Sequence, residues 1–99
     1  MQNYLIKTGN KTLYYLSAHM QKKEVFISLG SNLGDRAENL KKAIHSIELN
    51  IGTIVRQSSV YETKPWGHSN QPDFFNQVIL IHSDKSPEDC LRSLSAIED

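Results

Sequence analysis

The fold is decided by residues 25–52, which read VFISLGSNLGDRAENLKKAIHSIELNIG. The first five residues are almost wholly apolar, which predicts a short buried strand over 25–29. A turn with two glycines follows, and Asp35 with Glu38 three residues later predicts the start of a helix. One apolar stripe then recurs at helical spacing: Leu40, Ala43, Ile44, Ile47 and Ile51. The stretch therefore predicts a strand, a turn and an amphipathic helix.

The residues after this helix predict two more strands and a second helix. Gly52 is predicted to terminate the first helix. Residues 53–61 are rich in β-forming side chains, and 75–82 are too apolar for a strand with one solvated face. Ser86 suits the position before a helix, Pro87 suits its first turn, and Asp89 occupies the capping-box position. The apolar stripe of this second helix is predicted to consist of Cys90 or Leu91, followed by Leu94 and Ile97.

The resulting order is β-α-β-β-α, an α+β arrangement of the ferredoxin-like kind that lacks its final strand. We predict that residues 24–99 form this incomplete domain. Residues 1–23 are an N-terminal extension of uncertain status, because their apolar residues fall in two short clumps. A small hairpin, a loosely attached tail and a misplaced start upstream of Met20 all fit that pattern. An absent closing strand would leave an unpaired sheet edge, so we expect self-association through it.

Composition narrows the classes of function. Eleven basic and eleven acidic residues give no net charge, which argues against a nucleic-acid partner. No apolar run is long enough to span a bilayer and no secretory signal is visible, so we expect no membrane partner and a cytoplasmic location. The single Cys90 falls on an apolar helix position and is predicted to be a buried, inert thiol. The four histidines show no metal-ligand spacing, so no zinc site is predicted.

A candidate ligand site lies in residues 61–67 and 71–76, which read YETKPWG and QPDFFN. Phe74 and Asn76 are two residues apart on a predicted strand, so both project from one face. Aromatic rings offer stacking area, a carboxamide offers a donor and an acceptor, and a Pro/Gly loop offers backbone hydrogen bonds. This combination suits a flat heteroaromatic ligand. Ordinary core packing of the aromatic residues is the alternative.

Residues 25–99 resemble the 6-hydroxymethyl-7,8-dihydropterin pyrophosphokinase family. The resemblance rests on three ordered blocks, residues 27–36, 58–67 and 71–76, and continues through 86–89 and 97–98. It implies a ferredoxin-like fold and transfer of a pyrophosphoryl group from ATP to the pterin, with release of AMP, in folate biosynthesis. It also implies substrate-binding roles for Thr63, Lys64, Pro65, Trp66, Phe74 and Asn76, and a nucleotide-side role for Glu98.

The resemblance also implies Mg²⁺ as a cofactor, held by an Asp-x-Asp pair, together with a lid that carries arginines. Both would lie beyond Asp99, so we expect no catalytic or metal-binding residue in this chain and little or no activity from it alone. Asp35, Glu38, Glu88 and Asp89 are explained by helix N-termini, where negative charge is favourable.

Other polar residues are assigned structural roles. Asn32 and Asp35 are predicted to be turn and cap residues. The cations Arg36, Lys64, Lys85 and Arg92 are predicted to be solvated. Two other functions stay open for the chain: a non-catalytic pterin-binding module, and a ferredoxin-like interaction domain in which the aromatic residues serve packing.

Overall fold

The computed structural model describes residues 2–7, 12–19, 23–65 and 70–97. Within them it has one antiparallel sheet and two helices. The elements are β1 (Gln2–Lys7), β2 (Leu13–His19), β3 (Glu24–Ser31), α1 (Arg36–Asn50), β4 (Thr53–Gln57), β5 (Tyr61–Thr63), β6 (Phe74–His82) and α2 (Pro87–Ala96).

The sheet has the order β1-β2-β3-β6-β4, and β5 also pairs with β6. Every pairing is antiparallel. From β3 onwards the order is β-α-β-β-β-α, which is the predicted β-α-β-β-α order with its second strand divided into β4 and β5. β3 and β6 are central neighbours, so the predicted α+β ferredoxin-like class is confirmed. None of the helices in the described part of the chain is long and apolar enough to cross a membrane.

The strand predicted over 53–61 is wrong in detail, because it is divided into β4 and β5. The register on β6 shifts between Ile54 and Arg56, which leaves Val55 as an extra residue. Ser58 then bridges the interval: its N–H donates to the carbonyl of Val78 at 2.8 Å, and its Oγ accepts from the Val78 N–H at 2.9 Å. The Ser58 hydroxyl thus accepts the hydrogen bond that a backbone carbonyl accepts in a regular sheet. The strand is interrupted at this point, and β5 pairs with the first residues of β6.

The first two strands form an antiparallel hairpin that belongs to the sheet. β2 pairs with β3 along its full length, from Leu13 opposite Gly30 to His19 opposite Glu24. The described residues of this segment therefore form a hairpin and not a loosely attached tail. The uncertain status of residues 1–23 and the division between 23 and 24 stay predictions. We expected an unpaired edge in the sheet; in the described residues β2 pairs with β3, and the outer strand on that side is β1.

The hydrophobic core lies between one face of the sheet and the two helices. β2 contributes Tyr14, Leu16 and Ala18 to it, and β3 contributes Val25, Ile27 and Leu29. These residues alternate with exposed or half-buried ones, as expected of strands with one covered face. The helices and β6 complete the core with Leu40, Ala43, Ile47, Ile51, Ile79, Ile81, Cys90, Leu94 and Ile97.

Both predicted helix starts are confirmed. The Asp35 carboxylate accepts from the N–H of Glu38 at 3.1 Å, and the Ser86 hydroxyl accepts from the N–H of Asp89 at 3.1 Å. In α2 the buried position is Cys90 and not Leu91, and burial raises the pKa of the Cys90 thiol, as expected of an inert group.

Gly52 does not terminate α1 through a left-handed conformation. The cap residue is Ile51, and the positive-φ glycine of the described chain is Gly34, at 64°. A Cβ on Gly52 would lie 2.3 Å from the carbonyl oxygen of His82. The glycine is therefore required by the close approach of β6.

Candidate functional site

A cavity of about 500 Å³ opens on the face of the sheet that carries no helix. β2, β3 and β6 form its base, and the residues that follow β5 form one side. Five of the six predicted substrate-binding residues line it: Thr63, Lys64, Pro65, Phe74 and Asn76. Trp66, the sixth, and Glu98, predicted on the nucleotide side, lie outside the described residues.

The Asn76 carboxamide is held by hydrogen bonds from its nitrogen. Its Nδ2 donates to Thr63 Oγ1 at 2.8 Å, with longer contacts of 3.4 Å to the carbonyls of Tyr61 and Phe74. Among the described residues no hydrogen bond engages its Oδ1, which lies on the Gly30 side of the cavity. The amide therefore offers an acceptor to a ligand N–H, and Thr63 fixes its orientation.

The strand register brings these side chains together. Thr63 lies opposite Phe74 and Tyr61 opposite Asn76 in the β5–β6 pair, while Gly30 lies opposite Asn76 in the β3–β6 pair. Directly opposite residues of an antiparallel pair share a face. The predicted placement of Phe74 and Asn76 on one face therefore agrees with the register.

Gly30 keeps the cavity open. A Cβ at this position would lie 3.1 Å from Asn76 Oδ1 and 3.3 Å from Cδ1 of Phe74. Both distances are tighter than ordinary van der Waals contact, so any side chain here would displace the amide, the ring or both. The absence of a side chain at position 30 therefore leaves this part of the cavity open.

Asn32, in the β3–α1 connection, fastens the loop before β6. Asn32 Nδ2 donates to Gln71 Oε1 at 3.2 Å and to the carbonyl of Pro72 at 3.3 Å. Asn32 was predicted to serve its own turn, and it instead bonds residues about 40 positions away. Gln71, which it holds, also lines the cavity.

The prediction that Arg36 is solvated is wrong. Its guanidinium donates to Glu62 Oε2 at 2.9 Å and to the carbonyl of Asp73 at 2.8 Å, and it lies 3.8 Å from the centroid of the Phe75 ring. One cation at the start of α1 thus binds β5, the loop end and β6 together. Sequence reasoning missed this role because the three partners are 26 to 39 residues away, and no local pattern marks them.

Carboxylates do not converge at the cavity. In the described residues no group of three or more His, Cys, Asp or Glu side chains could hold a metal ion. Glu62 is engaged by Arg36, and Asp73 contributes its backbone carbonyl to the same cation. The acids with lowered pKa lie at the surface, where Asp84 pairs with Lys23 and Asp89 with Arg92. The described residues therefore do not fit a Mg²⁺ site.

A sequence model of the 7,8-dihydro-6-hydroxymethylpterin-pyrophosphokinase (HPPK) family matches residues 26–99, three quarters of the chain. The chain belongs to the HPPK family. The resemblance found in the three sequence blocks is therefore confirmed, and the family is one of enzymes that transfer a pyrophosphoryl group to a pterin, using ATP and Mg²⁺.

Individual relatives support the same family. The chain is 40% identical over 74 residues to a 2-amino-4-hydroxy-6-hydroxymethyldihydropteridine pyrophosphokinase from Porphyromonas gingivalis, covering 75% of this chain and 50% of that protein. It is 38% identical over 74 residues to the protein of the same name from Aquifex aeolicus, covering 75% and 46%. The chain thus spans about half the length of these curated HPPK relatives.

A third relative aligns with the N-terminal hairpin as well. The mitochondrial folate synthesis bifunctional protein of Pisum sativum is 38% identical over 102 residues, covering 98% of this chain and 20% of that protein. The family match itself begins at residue 26, within β3. The hairpin therefore precedes the family segment and has a counterpart in at least one relative.

Proposed function

We propose that this chain forms the pterin half-site of an ATP-dependent pyrophosphokinase that acts on 6-hydroxymethyl-7,8-dihydropterin in folate biosynthesis. The observation that supports it is the cavity that gathers Thr63, Phe74 and Asn76 around Gly30. Phe74 offers an aromatic face to the ring, and the Asn76 Oδ1 accepts from an N–H on its edge. Lys64 and Pro65 bound the same cavity, and Trp66 and Glu98 keep their roles from the family resemblance.

The ATP and Mg²⁺ side of the reaction is not supplied by the described residues. Metal ions would neutralise the phosphate charge in such a transfer, and they need carboxylate ligands. Because no such cluster is present in the described part of the chain, non-catalytic pterin binding by this chain alone is the second candidate function. AMP release separates the two when this chain is joined to the ATP and Mg²⁺ side of the reaction: the pyrophosphokinase then releases AMP from ATP, whereas a pterin-binding module binds the pterin without releasing AMP.

Calorimetric titration with 6-hydroxymethylpterin tests the proposed site. Asn76→Ala removes the edge acceptor and is expected to weaken binding by about 1–3 kcal/mol, the cost of an unpaired polar group in the complex. Asn50→Ala is the matched control, because Asn50 is exposed at the end of α1 and donates only to the carbonyl of Ser46. Equal affinity of the Asn76 variant and the control would contradict the edge contact, and no binding by the parent chain would refute the half-site.

Self-association and a cytoplasmic location are also proposed. In the described sheet the outer edge of β1 has no strand beside it, and an open edge can pair with a second copy. Sedimentation velocity should then show a concentration-dependent dimer. A monomer at every concentration would refute this association. Fractionation of the host cell tests the location.

A further inference from the structure

Arg36 lies beneath the cavity, on the face of the sheet that the helices cover. Phe75 packs against the hydrophobic core, and the Arg36 guanidinium lies 3.8 Å from the centroid of its ring. Glu62, which accepts from Arg36 at 2.9 Å, lies opposite Phe75 in the β5–β6 pair. Opposite residues of an antiparallel pair share a face and successive residues alternate, so these side chains point away from the face of Phe74 and Asn76. Arg36 does not line the cavity, and any effect it has on binding must act through the strands.

β5 is a short strand with little burial to hold it in place. Its three residues, Tyr61, Glu62 and Thr63, are all exposed, and its strand partner in the described sheet is β6. Segments with few buried apolar contacts are the ones that open most easily in a folded protein. On the cavity side, Thr63 accepts a hydrogen bond from Asn76. On the covered side, Glu62 accepts one from Arg36, so this ion pair helps to hold β5 against β6.

The two hydrogen bonds of Arg36 fall on either side of the connection between β5 and β6. Glu62 immediately precedes Thr63, and Asp73 immediately precedes Phe74. Arg36 donates to the side chain of the first at 2.9 Å and to the carbonyl of the second at 2.8 Å. Thr63 and Phe74 lie directly opposite each other in the β5–β6 pair. One guanidinium therefore holds together the two points at which the chain leaves β5 and enters β6.

The guanidinium group suits this arrangement. It carries five N–H donors in a fixed plane, so it can bond a carboxylate and a carbonyl at once while its face lies on an aromatic ring. The Arg36 side chain is 27% exposed and that of Glu62 is 50% exposed, so solvent partly screens the ion pair. The bond to the Asp73 carbonyl and the contact with the Phe75 ring add to it.

Holding these strand ends together before a ligand arrives favours binding. A protein whose binding-competent arrangement is only fractionally populated binds more weakly, in proportion to that fraction. Without the Arg36 bonds, β5 can separate from the start of β6, and Thr63 is then no longer fixed beside Asn76. Part of the binding free energy then goes into restoring the arrangement.

We propose that Arg36 is a positioning residue of the pterin site. From the covered face of the sheet it holds β5 and the start of β6 together, so that Thr63 and Phe74 are already in place when the pterin binds. The inference rests on the proposed function, because it names a residue that prepares the same site without contacting the ligand.

Calorimetry with 6-hydroxymethylpterin on the full chain tests this role. Arg36→Ala is expected to weaken binding about five- to tenfold, as when the competent arrangement falls to about a fifth to a tenth of the molecules. Glu62→Ala removes one of the two bonds and should weaken binding about threefold on the same reasoning. Glu62 is exposed, so this variant decides the question if Arg36→Ala does not fold. Because both residues act through one contact, the double variant should bind no more weakly than Arg36→Ala alone.

Two controls separate positioning from stability and from charge. Ile47→Val removes one methylene group from a residue of α1 that is 0% exposed, so it lowers stability without touching the cavity. Arg92→Ala removes a surface cation that pairs with Asp89 in α2. Both variants should bind the pterin like the parent chain.

NMR of the Asn76 side-chain NH₂ group gives a second readout. Its signals report the hydrogen bond to Thr63, which the proposal places under the control of Arg36. They should shift or broaden in Arg36→Ala and match the parent chain in Ile47→Val.

The outcomes separate this inference from the proposed function. Weaker binding by Arg36→Ala and Glu62→Ala, with both controls unchanged and the Asn76 signals altered, supports it. If folded Arg36→Ala matches the parent in affinity while Asn76→Ala binds less well, the positioning role is overturned and the pterin site stands. An equal loss of affinity in Ile47→Val would also overturn it, because lowered stability would then explain the effect. If the parent chain does not bind the pterin, the proposed function fails and the positioning role fails with it.

Discussion

Asn76 and Thr63 are joined by a 2.8 Å hydrogen bond from Nδ2 to Oγ1, and this bond directs the amide oxygen into the cavity. The two residues are 13 positions apart and meet because β5 pairs with the start of β6. Without the threonine acceptor, the carboxamide could rotate and present its nitrogen to the ligand. The acceptor character of the site therefore depends on a residue beside the amide.

Thr63→Val tests this dependence. The variant keeps the shape of the side chain and removes the acceptor, so we expect about three- to tenfold weaker pterin binding, consistent with loss of one hydrogen bond. Stability should change little, because Thr63 is exposed. Calorimetry gives the affinity, and Thr53→Val, an exposed strand position outside the cavity, is the control. Unchanged affinity for both would show that the amide is oriented by other contacts.

Gly30 and Gly52 are required for different reasons, so alanine at each position should have a different effect on binding and on stability. Gly30→Ala crowds Asn76 and Phe74, so we expect about tenfold weaker pterin binding with a modest loss of stability. Gly52→Ala places its Cβ against the backbone of β6, so we expect a loss of about 2–3 kcal/mol in the free energy of unfolding. The folded fraction of the Gly52 variant should bind the pterin normally. Urea denaturation and calorimetry on both variants check the pair; a reversed pattern would contradict the assignment.

Arg36→Ala removes a cation that bonds β5 and the loop before β6. We expect the free energy of unfolding to fall by about 1–2 kcal/mol, because a charge-assisted bond to the half-buried Asp73 carbonyl is lost together with a partly exposed ion pair. Arg92→Ala is the control, since Arg92 pairs with Asp89 at the surface and its loss should change stability little. Urea denaturation gives the free energy of unfolding of both variants. Equal losses would show that Arg36 contributes no more to stability than a surface arginine.

Leu16→Ala measures how firmly the hairpin belongs to the core. Leu16 is 0% exposed on the covered face of β2, so we expect a loss of about 2–5 kcal/mol in the free energy of unfolding. Leu49→Ala removes the same atoms from a residue of α1 that is 69% exposed, and should cost little. Equal, small losses of unfolding free energy for Leu16→Ala and Leu49→Ala would show that β2 contributes little to the stability of the core.

The sequence predicted the local elements from β3 onwards because their signals are local. Asp35 and Ser86 cap their helices through side-chain contacts three residues away. The stripe through Leu40, Ala43 and Ile47 is set by the helical period alone. The placement of Phe74 and Asn76 on one face follows from the two-residue repeat of a single strand.

Pairing between residues far apart in the chain determined the features that the sequence did not predict. Residues 53–61 divide into two strands because Ser58 substitutes for a ladder partner on β6, a contact 20 residues away. The hairpin joins the sheet because β3 offers an edge that β2 can pair with, and Tyr15 reaches the cavity through that pairing. Register across strands depends on free energy summed over the whole sheet. Short-range periodicity fixes which side of a strand a residue occupies, and only the folded sheet fixes its neighbours.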